Sequence, residues 1–349
     1  MISNSRDVPS FSYPLLVADI GGTHSRFTVV SDAHANLSKV VTLNTHDHPE
    51  GLAQVISDRV LSQTSLMPRT AVIAIAGAIH GERTKLTNAP WTIDPKELIE
   101  ELGLDRVVLL NDFEAQALAL LTFEPEDLTQ INGGEPLSYA PKVVVGPGTG
   151  LGAGILIHAA DRWVPIPGEG GHIELGPVTD EEYRIWPYLE RRGGRVGAEQ
   201  VICGGGLIRL SRAIAAADGG ESPFTDPAEL ADAGHAGDPL ALKTLDIFCA
   251  ALGRVAGDMA LLLMARGGVY LAGGIPPKIE PFLLKGAFRK AFEAKAPHDA
   301  IMKTIPTYIV KHPQPALEGL AAFARTPSRF AINLIGRMWN AGQSDAGAR

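Results

Sequence analysis

The sequence predicts an α/β protein built from two domains, and three observations carry that prediction. Short apolar runs of strand length alternate with stretches whose apolar residues recur at helical spacing. Two of the strands run into glycine-rich turns and are followed at once by a second strand. The 349 residues are enough for two domains with cores of their own. Apolar residues make up 45% and charged residues 20%, an ordinary balance for a soluble globular chain. The net charge of −8 argues against a nucleic-acid partner, which needs a basic face. Residues 259–265 are the best apolar window, but Asp258 and Arg266 stop it far short of a membrane span. The first residues lack the basic-then-apolar order of a signal peptide, so a cytoplasmic location is expected. Cys203 and Cys249 are too few for a disulfide framework or a multi-cysteine zinc site.

Residues 1–13 are polar and read as a loose arm. Residues 15–30, LLVADIGGTHSRFTVV, form the first hairpin: an apolar run delivers Asp19, Gly21 and Gly22 break it, and a second run returns at 27–30. Glycines at a strand end let backbone N–H groups cradle phosphate oxygens, and Thr23 adds a hydroxyl. Asp19 can hold a hydrated Mg²⁺ that bridges those phosphates. An ordinary N-terminal hairpin has the same local pattern. His46-Asp47-His48 reads as a solvated loop ahead of a helix over 51–61. Residues 70–76 make a buried strand ending in Gly77. The loop 86–91 carries Asn88 and Trp91, which serve either as turn chemistry with a packing anchor or as ligand contacts. Strand 107–110 delivers Asn111 and Asp112, and Phe113, Ala117, Leu120 and Leu121 recur behind them at helical spacing. Asp112 is a favoured helix N-cap. It also stands where a strand end meets a helix start, the place where α/β sheets bind ligands. A carboxylate there can accept a proton from a substrate hydroxyl.

Residues 142–157, KVVVGPGTGLGAGILI, are the second glycine hairpin. Residues 148–153 match G-x-G-x-x-A, the dinucleotide fingerprint, but that fingerprint needs a helix after the turn and a short strand follows here. No Gly-Lys pair occurs in the chain, which excludes a Walker A loop. Strand, glycine turn with Thr149, and returning strand repeat the plan of the first hairpin; two such hairpins facing each other would clamp a triphosphate. The loop 167–172, PGEGGH, carries Glu169 and His172, both able to reach a polyhydroxylated ligand; a plain surface loop is the structural alternative. Glu199 opens an apolar-periodic helix, where a carboxylate also complements the helix N-terminus, and Gly204-Gly205-Gly206 interrupt that segment. Residues 219–237 read as a loop excursion and 239–266 as a long helix closed by Gly267-Gly268. Strand 269–272 runs into Gly273-Gly274. A helix over 277–290, a strand over 304–310, a turn at 312–315 and a helix over 317–324 follow, and the tail after 343 reads as disordered.

With these elements in place, Asp19-Ile20-Gly21-Gly22-Thr23 resembles the first phosphate motif of the sugar kinase, Hsp70 and actin superfamily. Residues 146–152 resemble its second phosphate motif, and Leu271-Ala272-Gly273-Gly274-Ile275 its adenosine motif. Leu110-Asn111-Asp112-Phe113, the PGEGGH loop, Ala198-Glu199, Leu86-Thr87-Asn88 with Trp91, and His312-Pro313-Gln314-Pro315 are similar to bacterial glucokinases of the non-ROK type. The resemblance covers residues 15–325. It implies a two-domain actin-like ATPase fold with ribonuclease H-like cores and an interdomain cleft. The small α/β domain would hold residues 1–122, rejoined by the C-terminal helix and tail at 313–349, and the large α/β domain residues 123–312. The resemblance further implies glucose and ATP as substrates, Mg²⁺, and a homodimer. Asp112 would be the general base toward the sugar 6-hydroxyl, with Asn111, Glu169, His172 and Glu199, and Asn88 near them, on the other hydroxyls. Gly21, Gly22, Thr23, Gly148 and Thr149 would face the ATP phosphates, Asp19 the Mg²⁺ through water, and Gly273 and Gly274 the adenosine. The ROK branch carries a cysteine cluster for zinc near its sugar-binding histidine; Cys203 and Cys249 cannot supply one, so no zinc is expected. The N-terminal arm and the tail beyond Arg325 exceed the family pattern.

Phosphoryl transfer rests mostly on positioning and charge neutralisation, which the two hairpins and Mg²⁺ would supply, and domain closure would exclude competing water. Two other readings stay open at this level. One is a kinase of the same fold for fructose, mannose or an amino sugar. The other is an actin-like filament protein or ATP-gated binding module, which shares the hairpins but lacks a carboxylate beside a sugar loop. A sugar-responsive repressor needs a basic helix-turn-helix ahead of the first hairpin, which already starts at residue 15.

Overall fold

The computed structural model describes residues 8–342 apart from 38, 78, 80, 82, 87 and 88. The chain divides into two compact units. The first runs through residue 122 and takes in 158–167 and the chain from 313 onward; the second holds 123–157 and 168–312.

Among its described residues the first unit is organised on a six-stranded sheet. Leu15–Ile20 pairs antiparallel with His24–Val30, which pairs antiparallel with Val41–Asn44. On its other side Leu15–Ile20 pairs parallel with Thr70–Ile75, and that strand pairs parallel with Arg106–Asn111. Thr70–Ile75 is buried along its whole length, which accounts for its unbroken apolar run, because a central parallel strand is covered on both faces. Leu16, Ala18, Ile20, Ile73 and Leu109 face one core together with Leu52, Ile56, Leu98 and Leu102 from the helical segments 52–63 and Pro95–Leu102. Helix Pro315–Arg325 packs against Leu15–Ile20 and Thr70–Ile75 and against helix Asp112–Ala119. The two helices approach closely at Gly319, where a Cβ would stand 1.9 Å from the Ala115 carbonyl oxygen.

The described residues toward each end of the chain are better tied down than their composition predicts. Residues 8–13, expected as part of a loose arm, are docked. The Phe11 ring meets Phe323 edge-on at 5.3 Å, and the Ser10 carbonyl accepts from Arg106 Nη1 at 2.5 Å. At the other end, Met338–Asn340 pairs antiparallel with Arg106–Asn111 and becomes the outer strand of the sheet. Residues 1–7 of the expected arm and the expected disordered tail from 343 lie outside the described residues.

The second unit repeats the plan. Lys142–Pro147 pairs antiparallel with Leu151–Ala159 and parallel with Val269–Leu271, which pairs parallel with Thr307–Val310. Leu128–Asn132 edges the sheet antiparallel to Thr307–Val310. Each unit therefore sets a glycine hairpin beside two parallel strands, with an antiparallel strand outside them.

Several local readings are corrected here. The segment opened by Glu199 is indeed interrupted, but ahead of the glycines: the short helix Ala198–Val201 ends, and Gly204-Gly205-Gly206 open a new helix, Gly204–Ala217, capped by the Cys203 sulfur, which accepts from Gly206 N at 3.2 Å. The expected loop at 219–237 contains the helix Pro227–His235, with Asp226 accepting from Ala228 N at 2.7 Å and Pro227 in the first turn. The helix read over 277–290 is broken at Gly286, φ +111°, into Glu280–Leu284 and Ala287–Glu293. The long helix is Pro239–Leu263, ended by Met264 in the left-handed region. Among the described residues no helix is long and apolar enough to cross a membrane.

Candidate active site

In the first unit the strand register sets Ile20, Ile75 and Asn111 side by side, so three parallel strands end on one edge. Neighbouring strands lie about 4.8 Å apart, which puts the first glycine turn about 10 Å from the Asn111-Asp112 turn along that edge. Gly21 N–H donates to the His24 carbonyl at 3.1 Å, and a Cβ at Gly21 would stand 2.8 Å from that oxygen, so the turn excludes a side chain there. Thr45, fully buried, braces the turn from behind. Its Oγ1 donates to the Gly21 carbonyl at 2.9 Å and meets Ser25 Oγ at 2.8 Å, and its N–H donates to the Thr23 carbonyl at 2.9 Å. No pattern in the sequence pointed to Thr45. The Thr23 side chain is exposed at the tip.

Asp19 faces Arg26 across the hairpin, Oδ2 to Nη1 at 3.5 Å. Burial pushes the Asp19 carboxyl up, and the Arg26 cation works against that rise. A dication beside the turn would favour the ionised carboxylate in the same sense as Arg26. One carboxylate suits Mg²⁺, which keeps several waters and takes further oxygens from phosphates.

Asn111, not Asp112, is the helix N-cap. Asn111 Oδ1 accepts from Phe113 N at 2.9 Å and Glu114 N at 3.2 Å, while Glu114 Oε2 accepts from Asn111 N at 3.3 Å, a reciprocal capping box. Asn111 Nδ2 donates to the Gly77 carbonyl at 3.2 Å, which leaves one of its two amide hydrogens for another partner. Asp112 is the first residue of the helix, half-buried, with Oδ1 accepting from Phe113 N at 3.0 Å. Trp91 is a packing anchor: its ring is buried and Nε1 donates to the His48 carbonyl at 2.8 Å. Asn88 lies outside the described residues.

In the second unit the glycine turn closes through Gly148 N–H to the Gly150 carbonyl at 2.8 Å, with Thr149 exposed at its tip. Gly204 N–H, at the start of its helix, donates to the Gly148 carbonyl at 2.9 Å. Glu199 is held on this turn, Oε2 accepting from Leu151 N at 3.0 Å, and a Cβ at Gly150 would meet that oxygen at 2.5 Å. One Glu199 oxygen is thus committed to backbone and the other remains for a ligand. The loop 168–172 lies against the same hairpin. A Cβ on Gly171 would stand 1.9 Å from the Leu151 carbonyl oxygen, and one on Gly170 would stand 2.5 Å from Met259 Cε. The loop presents Glu169 and His172, both largely exposed, with Oε2 and Nε2 3.7 Å apart. Ala198 N–H donates to the Ile173 carbonyl at 2.8 Å, which ties the Glu199 segment to this loop. Glu169, His172, Glu199 and the turn 148–150 therefore share one face of the second unit. Gly273, φ +81°, sits where a Cβ would come 2.7 Å from the Pro147 carbonyl oxygen, so the 273–274 segment borders the second hairpin.

A family model described as Glucokinase matches residues 16–327. A glucokinase of Rhizobium meliloti (strain 1021) is 48% identical over 331 residues, which cover 95% of this chain and 97% of the relative. The chain belongs to the glucokinase family. A glucokinase structure from an Antarctic psychrotroph is similar at a TM-score of 0.80 and 30% identity, over 90% of this chain and 100% of that one. A ROK family glucokinase from Streptomyces griseus, in complex with glucose and AMPPNP, shares the fold at a TM-score of 0.62 and 21% identity, over 89% and 99% of the two chains. The fold of this glucokinase-family chain is the two-domain actin-like ATPase fold. Residues 328–342, with the strand Met338–Asn340, lie beyond the stretch matched by the glucokinase family model.

Proposed function

We propose that this glucokinase-family chain transfers the γ-phosphate of ATP to the 6-hydroxyl of glucose, giving glucose 6-phosphate and ADP. The observation that carries the reading is the shared strand edge of the first unit, where a glycine turn with Asp19 lies two parallel strands from Asp112. Ligands of α/β sheets bind at such carboxyl ends. The tight turns at Gly21-Gly22 and Gly148, free of side chains, let phosphate oxygens come close to the backbone, the Gly22 N–H and the hydroxyls of Thr23 and Thr149 bind those oxygens, and Gly273-Gly274 lie along the adenosine. Asp19 would hold a hydrated Mg²⁺, which would supply charge neutralisation at the phosphoryl oxygens. Asp112 takes the proton of the attacking hydroxyl. The remaining Asn111 amide hydrogen, Glu169, His172, the second oxygen of Glu199, and Asn88 bind the other hydroxyls and so orient the sugar.

The chain belongs, in this reading, to the branch of glucokinases without the ROK zinc cluster. Both cysteines are occupied by packing: Cys203 caps a helix and is buried, and Cys249 is buried within Pro239–Leu263, where burial pushes its thiol up. The enzyme acts in the cytoplasm as a homodimer. A coupled assay with Mg-ATP and glucose, fructose, mannose or N-acetylglucosamine tests the proposal. Glucose as the best acceptor supports it; a better acceptor among the others moves the assignment to that sugar. ATP binding without transfer to any sugar sinks the kinase reading.

A further inference from the structure

The segment that follows the stretch matched by the family model carries a side chain that reaches the turn bearing Asp112. It is pinned at Arg337 and just beyond it: Leu109 N–H donates to the Arg337 carbonyl at 2.9 Å, and Arg106 Nε donates to Asn340 Oδ1 at 2.6 Å. The Arg337 side chain is four-fifths buried. Its Nε donates to the Leu109 carbonyl at 3.2 Å, and its Nη2 donates to Glu114 Oε2 in a close ion pair. Glu114 is 2% exposed, and the same Oε2 accepts from the Asn111 N–H. Glu114 is thus the carboxylate half of the capping box that shapes residues 111–114, and Asp112 stands inside that turn. A buried carboxylate left without its cation either takes up a proton or moves toward water. Either change weakens its hold on the Asn111 N–H.

We propose that Arg337 is a positioning residue for Asp112: acting through Glu114, it fixes the strand-to-helix turn that aims the Asp112 carboxylate. The C-terminal segment is then a working part of the site. The inference rests on the assignment of Asp112 as the base.

The test compares wild type with Arg337→Ala, Arg337→Lys and the pair Glu114→Gln with Arg337→Met, each assayed well below its melting temperature. Arg337→Ala is expected to lose about 10- to 100-fold in kcat, since a misplacement of about 1 Å at a reacting group costs that much. KM for ATP stays within about twofold, because ground-state binding is not what is lost. Arg337→Lys recovers part of the loss. The paired variant keeps an oxygen for the Asn111 N–H and leaves no buried charge, and recovers most of it. Backbone hydrogen exchange at residues 111–114 speeds up in Arg337→Ala and returns toward wild type in the pair. A lower melting temperature with unchanged kcat and unchanged exchange at 111–114 overturns the proposal. The exchange arm needs no turnover, so an inactive wild type rejects the glucokinase reading while exchange still decides whether Arg337 fixes the turn.

Discussion

An alanine at position 171 should damage sugar handling while leaving nucleotide binding intact. The Gly171 Cβ would stand 1.9 Å from the Leu151 carbonyl oxygen and 2.9 Å from its carbon, so loop and strand must separate by more than an ångström. The strand resists. Leu151 is paired with Pro147 across the hairpin, and its N–H is held by Glu199. The loop is one short helical turn, Gly170–His172, flanked by exposed side chains, and it yields first. The displacement falls on Glu169 and His172. Misplacing positioning groups by about 1 Å costs up to about 10²-fold in kcat/KM, and overpacking costs about 1–3 kcal/mol in stability. Steady-state kinetics with glucose varied, then ATP varied, should give a glucose KM raised by about tenfold or more and an ATP KM within about twofold. Gly176→Ala is the control, because a Cβ there meets nothing within 4 Å. Wild-type glucose kinetics in Gly171→Ala would refute the reasoning.

Two further outcomes follow from the same contacts. Thr45→Val removes the hydroxyl bonded to the Gly21 carbonyl and Ser25, so stability should fall by about 1–3 kcal/mol and the ATP KM should rise; calorimetry and an ATP titration check this, and an unchanged ATP KM rejects the bracing role. Burial pushes the Glu114 carboxyl up and Arg337 holds it back, so Arg337→Met raises it further. A raised acid loses stability as pH rises through its folded value. The deficit of Arg337→Met is therefore smallest in acid and grows toward about 3–5 kcal/mol once Glu114 must ionise. Denaturant unfolding between about pH 5 and pH 8 reads it, and a pH-independent deficit contradicts it.

What was legible in the sequence was local. The unbroken apolar run of Thr70–Ile75 and the two glycine hairpins announce buried parallel strands and tight turns without reference to anything distant. The choice between Asn111 and Asp112 as cap was also readable, although Asp112 was the residue expected as the cap, because Glu114 stands three residues after Asn111 and completes a capping box, whereas the residue three after Asp112 is Ala115. Helix Pro227–His235 was hidden by its glycine and aspartate content, although Asp226-Pro227 signalled its start. Met338–Asn340 is a strand of three residues whose pairing partner lies more than 200 residues away, so no local period could reveal it. Thr45 and Arg337 belong to the same class: their chemistry is ordinary, and only the register of distant strands gives them a role.

The central claim is that Asp112 takes the hydroxyl proton during transfer from ATP to glucose. The most direct measurement is kcat of Asp112→Asn with saturating glucose and Mg-ATP, alongside ATP binding to the same protein. The account predicts a loss of about 10²- to 10⁴-fold in kcat with ATP affinity unchanged. Turnover near that of wild type would contradict it.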